Sequence, residues 1–191
     1  MEKIDPQTTA LVVIDLQKGI MRMPVAPHAA ADVLTRTLSL VERFRTAKAP
    51  VALVNVGWSA DFGDALKQPV DAAPASAHGG MPADFKDLAP ELGPAPTDIL
   101  ITKRQWNAFY GTELDLQLRR RGIKTIVMTG IATHIGVEGT ARAGWEMGYA
   151  FIFAEDAMSS MTAEAHKFST TVVLPRLGRI RPTAEILAAL G

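Results

Sequence analysis

The sequence predicts an α/β fold: a three-layer α-β-α sandwich built on a mostly parallel, Rossmann-like sheet of about six strands. Short apolar, β-branched runs alternate along the chain with segments of helical period, the pattern of strands joined by crossover helices. The runs are apolar almost throughout, as expected of strands covered on both faces. The 191 residues, 48% of them hydrophobic, suit one domain (1–191) with a single sizeable core.

The elements follow in order. "TALVVIDLQ" (8–16) reads as a buried parallel strand that ends in an acid. "AADVLTRTLSLVERFRTAKA" (30–49) sets Val33, Leu34, Thr37, Leu40, Val41 and Phe44 at helical spacing. "PVALVNVGW" (50–58) is a second strand, and "DILITKR" (98–104) a third that ends in a base. "ELDLQLRRRG" (113–122) is a short amphipathic helix with Gly122 as its stop. "KTIVMTGI" (124–131) is a fourth strand, followed by a helix from about His134 to Met147. "YAFIFAEDAM" (149–158) is a fifth strand, and "AEAHKFSTTVVLPRLG" (163–178) is helical as far as Pro175. "RIRP" reads as a short edge strand and "TAEILAAL" as a closing helix with Thr183 as its cap. Residues 57–97, rich in Ala, Pro, Gly and Asp, are too long for an ordinary connection. They read either as a lid or subunit contact, or as a flexible surface excursion. No repeat is visible.

Composition narrows the function. Lys plus Arg and Asp plus Glu number 20 each, so the net charge is zero. That removes the electrostatic case for nucleic acid or an anionic membrane surface as a partner. No apolar run reaches about 18 residues, so no membrane span is expected. "MEKIDPQTTA" has no apolar signal core, and a cytoplasmic location is expected. There is no cysteine, hence no disulfide, thiolate metal site or cysteine nucleophile. His28, His78, His134 and His166 show no paired spacing, and "DLQKGI" is not a glycine-rich nucleotide loop. Neither a metal nor an organic cofactor is expected.

Three strands end in the same polar way. Asp15 closes the first, Lys103 the third, and the turn "TGIATHIGVEGTAR" (129–142), with Gly136 in it, follows the fourth. Parallel strands bring these ends to one edge, where ligands bind in open α/β sheets. Taken singly, each has a plain structural explanation. Asp15 could cap a turn, Lys103 could be a solvated strand end, and Gly136 could answer only to tight backbone geometry.

"ALVVIDLQKGI", "KRQWNAFYGTELD" and "TGIATHIGVEGTARAGWEMGYAFIFAEDAM" together resemble the three signature blocks of the isochorismatase-like hydrolases. Most members of that family are cysteine hydrolases with an Asp–Lys–Cys triad. The resemblance maps the acid onto Asp15, the lysine onto Lys103 and the cysteine onto Gly136. True isochorismatases also carry glycine there, within a similar "HIG" string, although "HIGV" departs from their "HIGC". The resemblance therefore implies a hydrolase without a cysteine nucleophile, acting on isochorismate or another small vinyl ether. Asp15 would be the proton donor and Lys103 its electrostatic and orienting partner. Thr133 and Thr140 lie nearby, but neither matches the nucleophile position. The alternatives are hydrolysis of another small substrate by Asp15-activated water, or a silent metabolite-binding protein. The acid role has a physical requirement. Aspartate titrates near 3.9 and a lysine lowers that. Burial, or an anionic substrate beside it, must keep Asp15 protonated.

Residues near these three are candidates for the pocket. Trp106, Asn107, Phe109 and Tyr110 follow Lys103 and could wall it; Gln17 lies close to Asp15 and His134 close to Gly136. The resemblance adds Ile131, Ala132 and Ile135, with a cis peptide at Ile131–Ala132. It also implies a homodimer or higher homo-oligomer that takes a small-molecule substrate. Nicotinamidase-type members bind zinc through an Asp-x-His motif, but "VNVGWSADFGDA" offers no histidine. Arg142 and Asp156 fall within the matching blocks, where an ion pair or a structural hydrogen bond accounts for them equally well.

Overall fold

Six parallel strands build one sheet: β1 (Thr9–Ile14), β2 (Val51–Val56), β3 (Ile99–Lys103), β4 (Thr125–Ile131), β5 (Ala150–Ser159) and β6 (Gly178–Arg181). Their order is β3-β2-β1-β4-β5-β6. The structure is a computed structural model that describes residues 2–72 and 81–191. His78, one of the histidines weighed above, lies outside the described residues, as does the centre of the 57–97 segment.

The sheet has two apolar faces because each strand alternates between two cores. Leu11 and Val13 of β1 face one core, and Ala10, Val12 and Ile14 face the other. Val127 and Ile131 of β4 divide from Ile126 and Met128 in the same way. Helix α1 (Lys18–Met21) and helix α2 (Ala30–Thr46) pack on the first face. The α2 stripe is Val33, Leu34, Thr37, Leu40, Val41 and Phe44, as the periodicity predicts. Helix α3 (Leu114–Arg120) and helix α4 (Glu138–Glu146) cover the second face. Gly122, at φ +71°, stops α3 as expected. Helix α5 (Ala163–Phe168) leads towards β6, and helix α6 (Thr183–Ala189) closes on the α2 side through Ile186 and Ala189.

The helical path reaches Pro175 as expected, since α5 runs on through a π-helical turn, Ser169–Val173, and a 3-10 turn, Leu174–Arg176. Proline is tolerated because it sits at the start of the 3-10 turn, where its missing N–H would have no partner. Thr183 is not the cap of α6, which is Pro182. The backbone N–H and the hydroxyl of Thr183 both donate to Asp156 Oδ1, at 2.7 Å each. The free amide at the helix start is thus satisfied by an acid from β5.

The described parts of 57–97 are tied down in places. Leu88 bridges Gln17, Lys18 N–H donates to Asp87 O at 2.8 Å, and Arg22 forms a two-pronged ion pair with Asp84 at 2.9 and 2.7 Å. This stretch packs over the end of β1.

Candidate active site

The strand order places a topological switch between β1 and β4, since the chain builds outward from β1 on one side and then crosses to the other. The crevice beyond their carboxyl ends is where open α/β sheets bind ligands. Asp15 follows β1 directly. A continued strand would send its side chain to the face opposite Ile14. Instead Asp15 takes φ +53°, a region that non-glycine residues enter at a cost, and this redirects the carboxyl. Lys103 arrives from β3, two strands away. Ile99, Ile101 and Lys103 share the buried face of that strand, so alternation aims the lysine into the protein. Its Nζ donates to Asp15 Oδ2 at 2.7 Å, with both side chains almost wholly buried.

Gly136 completes the group. It lies in a π-helical turn, Thr133–Val137, between β4 and α4. A Cβ at this position would stand 2.9 Å from Ile14 Cγ2, 3.1 Å from Asp15 Oδ2 and 3.5 Å from Lys103 Nζ. The sequence expectation that Asp15, Lys103 and Gly136 converge is therefore met in geometry. The register explains the closeness: Ile14 pairs with Gly130 across β1 and β4. A Cβ at Gly130, which has φ +119°, would meet Ile14 O at 2.0 Å, so only glycine lets the strands run this close.

Burial dominates the electrostatics. It raises the Asp15 carboxyl from 3.8 to about 6, against the opposing charge and hydrogen bond of Lys103. Asp15 Oδ1 is buried and makes no hydrogen bond. A carboxyl in that setting holds a proton far more readily than an exposed one. The arrangement can donate a proton below about pH 6 and accept one above it.

No side chain at the turn supplies a nucleophile. The Thr140 hydroxyl donates to Gly136 O at 2.6 Å and accepts from Ala108 N–H at 3.0 Å. The Thr133 hydroxyl donates to Ser159 O at 3.0 Å. Both protons are already committed to the backbone. Thr140 ties the loop after Lys103 to the turn that holds Gly136, a function its place in the sequence does not reveal. The Ile131–Ala132 peptide is cis.

The outer candidates separate into two sets. Gln17 is fully buried and turned to structure. Its amide donates to Val56 O at 3.0 Å and Phe85 O at 2.9 Å, and its Oε1 accepts from Val56 N–H at 2.7 Å. All its polar atoms are spent on backbone, and it clamps the ends of β1 and β2 to the covering segment. The side chains of Ile131 and Ala132 join the α2-side core, and Ile135 packs against it. Asn107 Oδ1 accepts from Phe109 N–H at 2.7 Å, and Phe109 is itself core. Trp106 and Tyr110 stand out, at 66% and 73% exposed. His134 Nδ1 meets Ser160 Oγ, and burial lowers the His134 pKa. Arg142 pairs with Glu138 one turn away, and Asp156 serves Thr183 and Arg36.

One cluster escaped the sequence altogether. His28, Glu155 and His166 offer three candidate donor atoms within 4.8 Å of one another. They come from a loop, a strand and a helix, so no local spacing announces them.

Known proteins resemble this chain in sequence and in fold. Residues 9–185 match the isochorismatase domain. The chain is 52% identical to YecD of Escherichia coli O157:H7, an uncharacterised isochorismatase family protein, over all of both chains. It is 30% identical to RutB of Methylobacterium radiotolerans, a ureidoacrylate amidohydrolase, over 98% of this chain and 81% of that one. The structure of an isochorismatase family protein from Burkholderia thailandensis matches with a TM-score of 0.94 and 43% identity, covering 100% of this chain and 98% of that one. Among the described residues no helix is long and apolar enough to cross a membrane.

Proposed function

The chain belongs to the isochorismatase family, a family of hydrolases, and we propose that it hydrolyses a small vinyl ether such as isochorismate by acid catalysis, with Asp15 as the proton donor. One observation carries this reading. The Asp15 carboxyl is buried, has an unpaired Oδ1 and titrates near 6, beside a glycine and not a nucleophile. Splitting an amide through a covalent intermediate needs an activated nucleophile. The chain has no cysteine, and the Thr133 and Thr140 hydroxyls are engaged.

A vinyl ether needs only a proton at its methylene carbon. Asp15 delivers it, and the ether oxygen stabilises the resulting oxocarbenium ion. Water adds to the cation carbon and loses a proton to the Asp15 carboxylate. The hemiketal then collapses, releasing pyruvate and, from isochorismate, 2,3-dihydro-2,3-dihydroxybenzoate. Lys103 orients the carboxyl through Oδ2 and stabilises the carboxylate left after transfer. Gly136 stands at the position the family's cysteine hydrolases use for attack, and because a Cβ there would press on Ile14 and Asp15, glycine lets the turn close directly over the Asp–Lys pair. The whole chain acts as one hydrolase domain, residues 1–191, with no cofactor in the reaction.

The similarity to a ureidoacrylate amidohydrolase supports a second reading. There Asp15 takes a proton from water that attacks a ureido carbonyl. A carboxyl near 6 serves as acid or base, so the products and the pH profile separate the two readings. The test is turnover against isochorismate, nicotinamide and simple carbamoyl amides. Pyruvate release from isochorismate is the expected result. Ammonia from the amides, with isochorismate untouched, would overturn it. With no thiol in the chain, iodoacetamide should leave the activity of the folded enzyme intact.

A further inference from the structure

We propose that His28, Glu155 and His166 form a binding site for one divalent transition-metal ion of the zinc class. The site is separate from the Asp15–Lys103 pair, and no spacing motif in the sequence marks it. Hydrogen-bond bookkeeping carries the argument. The Thr133 hydroxyl gives its proton to Ser159 O, so its oxygen can only accept from His166 Nδ1, 2.9 Å away. That fixes the hydrogen of a neutral His166 ring on Nδ1. His166 Nε2 then carries a lone pair, yet it lies 2.9 Å from Glu155 Oε1. His28 Nε2 approaches the same oxygen at 3.5 Å. A lone pair and a carboxylate oxygen repel at that range unless positive charge lies between them. A proton on one nitrogen answers only the contact it lies in. A single divalent ion satisfies all three donors at once.

The chemistry of the donors fits zinc. Two imidazoles and a carboxylate are a borderline set that suits it, and three protein ligands leave one position for water. The donor atoms lie within 4.8 Å of one another, and a tetrahedral zinc holds its ligand atoms about 3.4 Å apart, so binding would draw the three side chains inward. His166 is buried, and its second nitrogen is held by Thr133, the outer support that metal-bound histidines ordinarily have. His28 and Glu155 are half-exposed, which leaves a path for the ion. An ion here would join three parts of the chain: the loop before α2, the middle of β5 and α5. Through Thr133 it would also brace the turn that carries Gly136.

The test uses the full chain after EDTA treatment and dialysis. Zn²⁺ is titrated by calorimetry, and Co²⁺ is followed by its visible d–d absorption. The expected result is one ion per chain, an absorption typical of four- or five-coordinate cobalt, and a higher Tm with Zn²⁺. His28→Ala and Glu155→Gln should each weaken binding by about tenfold or more and remove the Tm shift. Both positions are half-exposed, so the variants are expected to fold, and circular dichroism checks this. His134→Ala, whose ring nitrogen meets Ser160 instead, should bind as the wild type does. The proposal is overturned if neither ion is taken up, or if folded His28→Ala and Glu155→Gln bind as the wild type does. These readouts need no turnover, so they stand apart from the assignment of Asp15.

Discussion

Asp15 meets two opposed requirements at once. It must sit close enough to Lys103 to be oriented, at 2.7 Å, and still keep a proton. Burial settles the contest by outweighing the lysine, which brings the carboxyl to about 6. The sign of the pH profile follows. An acid works while protonated, so kcat/KM should be level below about pH 6 and fall about tenfold per unit above it. A rate that instead rises through that pH would assign Asp15 as a base. Asp15→Asn keeps the shape but carries no acidic proton. Turnover should drop by roughly 10²–10⁴ with KM little changed, the usual contribution of one general acid. Normal turnover by the folded variant would end the acid mechanism. Lys103→Ala removes both influences that lower the Asp15 pKa. The falling limb of its profile should move to higher pH, alongside a lower rate. Asp15 and Lys103 were legible as candidates because each ends an apolar strand. The outcome of burial against charge was not, since it depends on the side chains that enclose the pair.

The turn between β4 and α4 is where one element decides the chemistry. Gly136→Ala would bring a methyl group to 2.9 Å from Ile14 Cγ2 and 3.1 Å from Asp15 Oδ2. Ile14 is β-branched and fully buried, so it yields poorly. Overpacking of this kind costs about 1–3 kcal/mol, which a lower Tm should report, together with lower turnover. Gly136→Cys adds a sulfur to the same space. The Cβ position lies 3.5 Å from Lys103 Nζ, and a nearby amine favours thiolate. The variant should therefore label with iodoacetamide while the wild type does not; a folded variant that stays unlabelled would show that the thiol is shut away. Amide turnover need not follow. Gln17 marks where sequence reading stopped short. Its place two residues after Asp15 suggested a pocket wall, yet three hydrogen bonds to backbone make it a clamp. Two of its partners come from β2 and one from Phe85, and local sequence cannot show such distant contacts. Thr140 is the same case, reading as an ordinary helical residue while its hydroxyl accepts from Ala108 N–H on the loop after Lys103.

At the scale of the molecule, layers were legible and long-range meetings were not. Alternation of apolar runs with helical periods foretells six strands in a three-layer sandwich, because burial on both faces leaves its mark on every strand. The cluster of His28, Glu155 and His166 left no such mark, for its members meet only once the loop before α2 reaches β5 and α5. Assembly is the remaining question at this scale. Trp106 and Tyr110, on the loop just after Lys103, are 66% and 73% exposed. Large aromatics bury about 150–250 Å² each when covered and are a strong source of contact energy. The chain carries no net charge to oppose self-association. A second copy is the expected cover, by a two-fold contact in which this loop meets its counterpart or a neighbouring surface. Light scattering on the eluting protein should give at least twice the 20.5 kDa chain mass. Trp106→Asp places a charge in that contact and should shift the protein towards monomer. Because the loop follows Lys103 and is tied to the Gly136 turn through Thr140, the same variant should lower turnover as the assembly dissociates. A wild-type protein that stays monomeric at micromolar concentration, or a Trp106→Asp protein that assembles as before, would show that these aromatics face solvent for another reason.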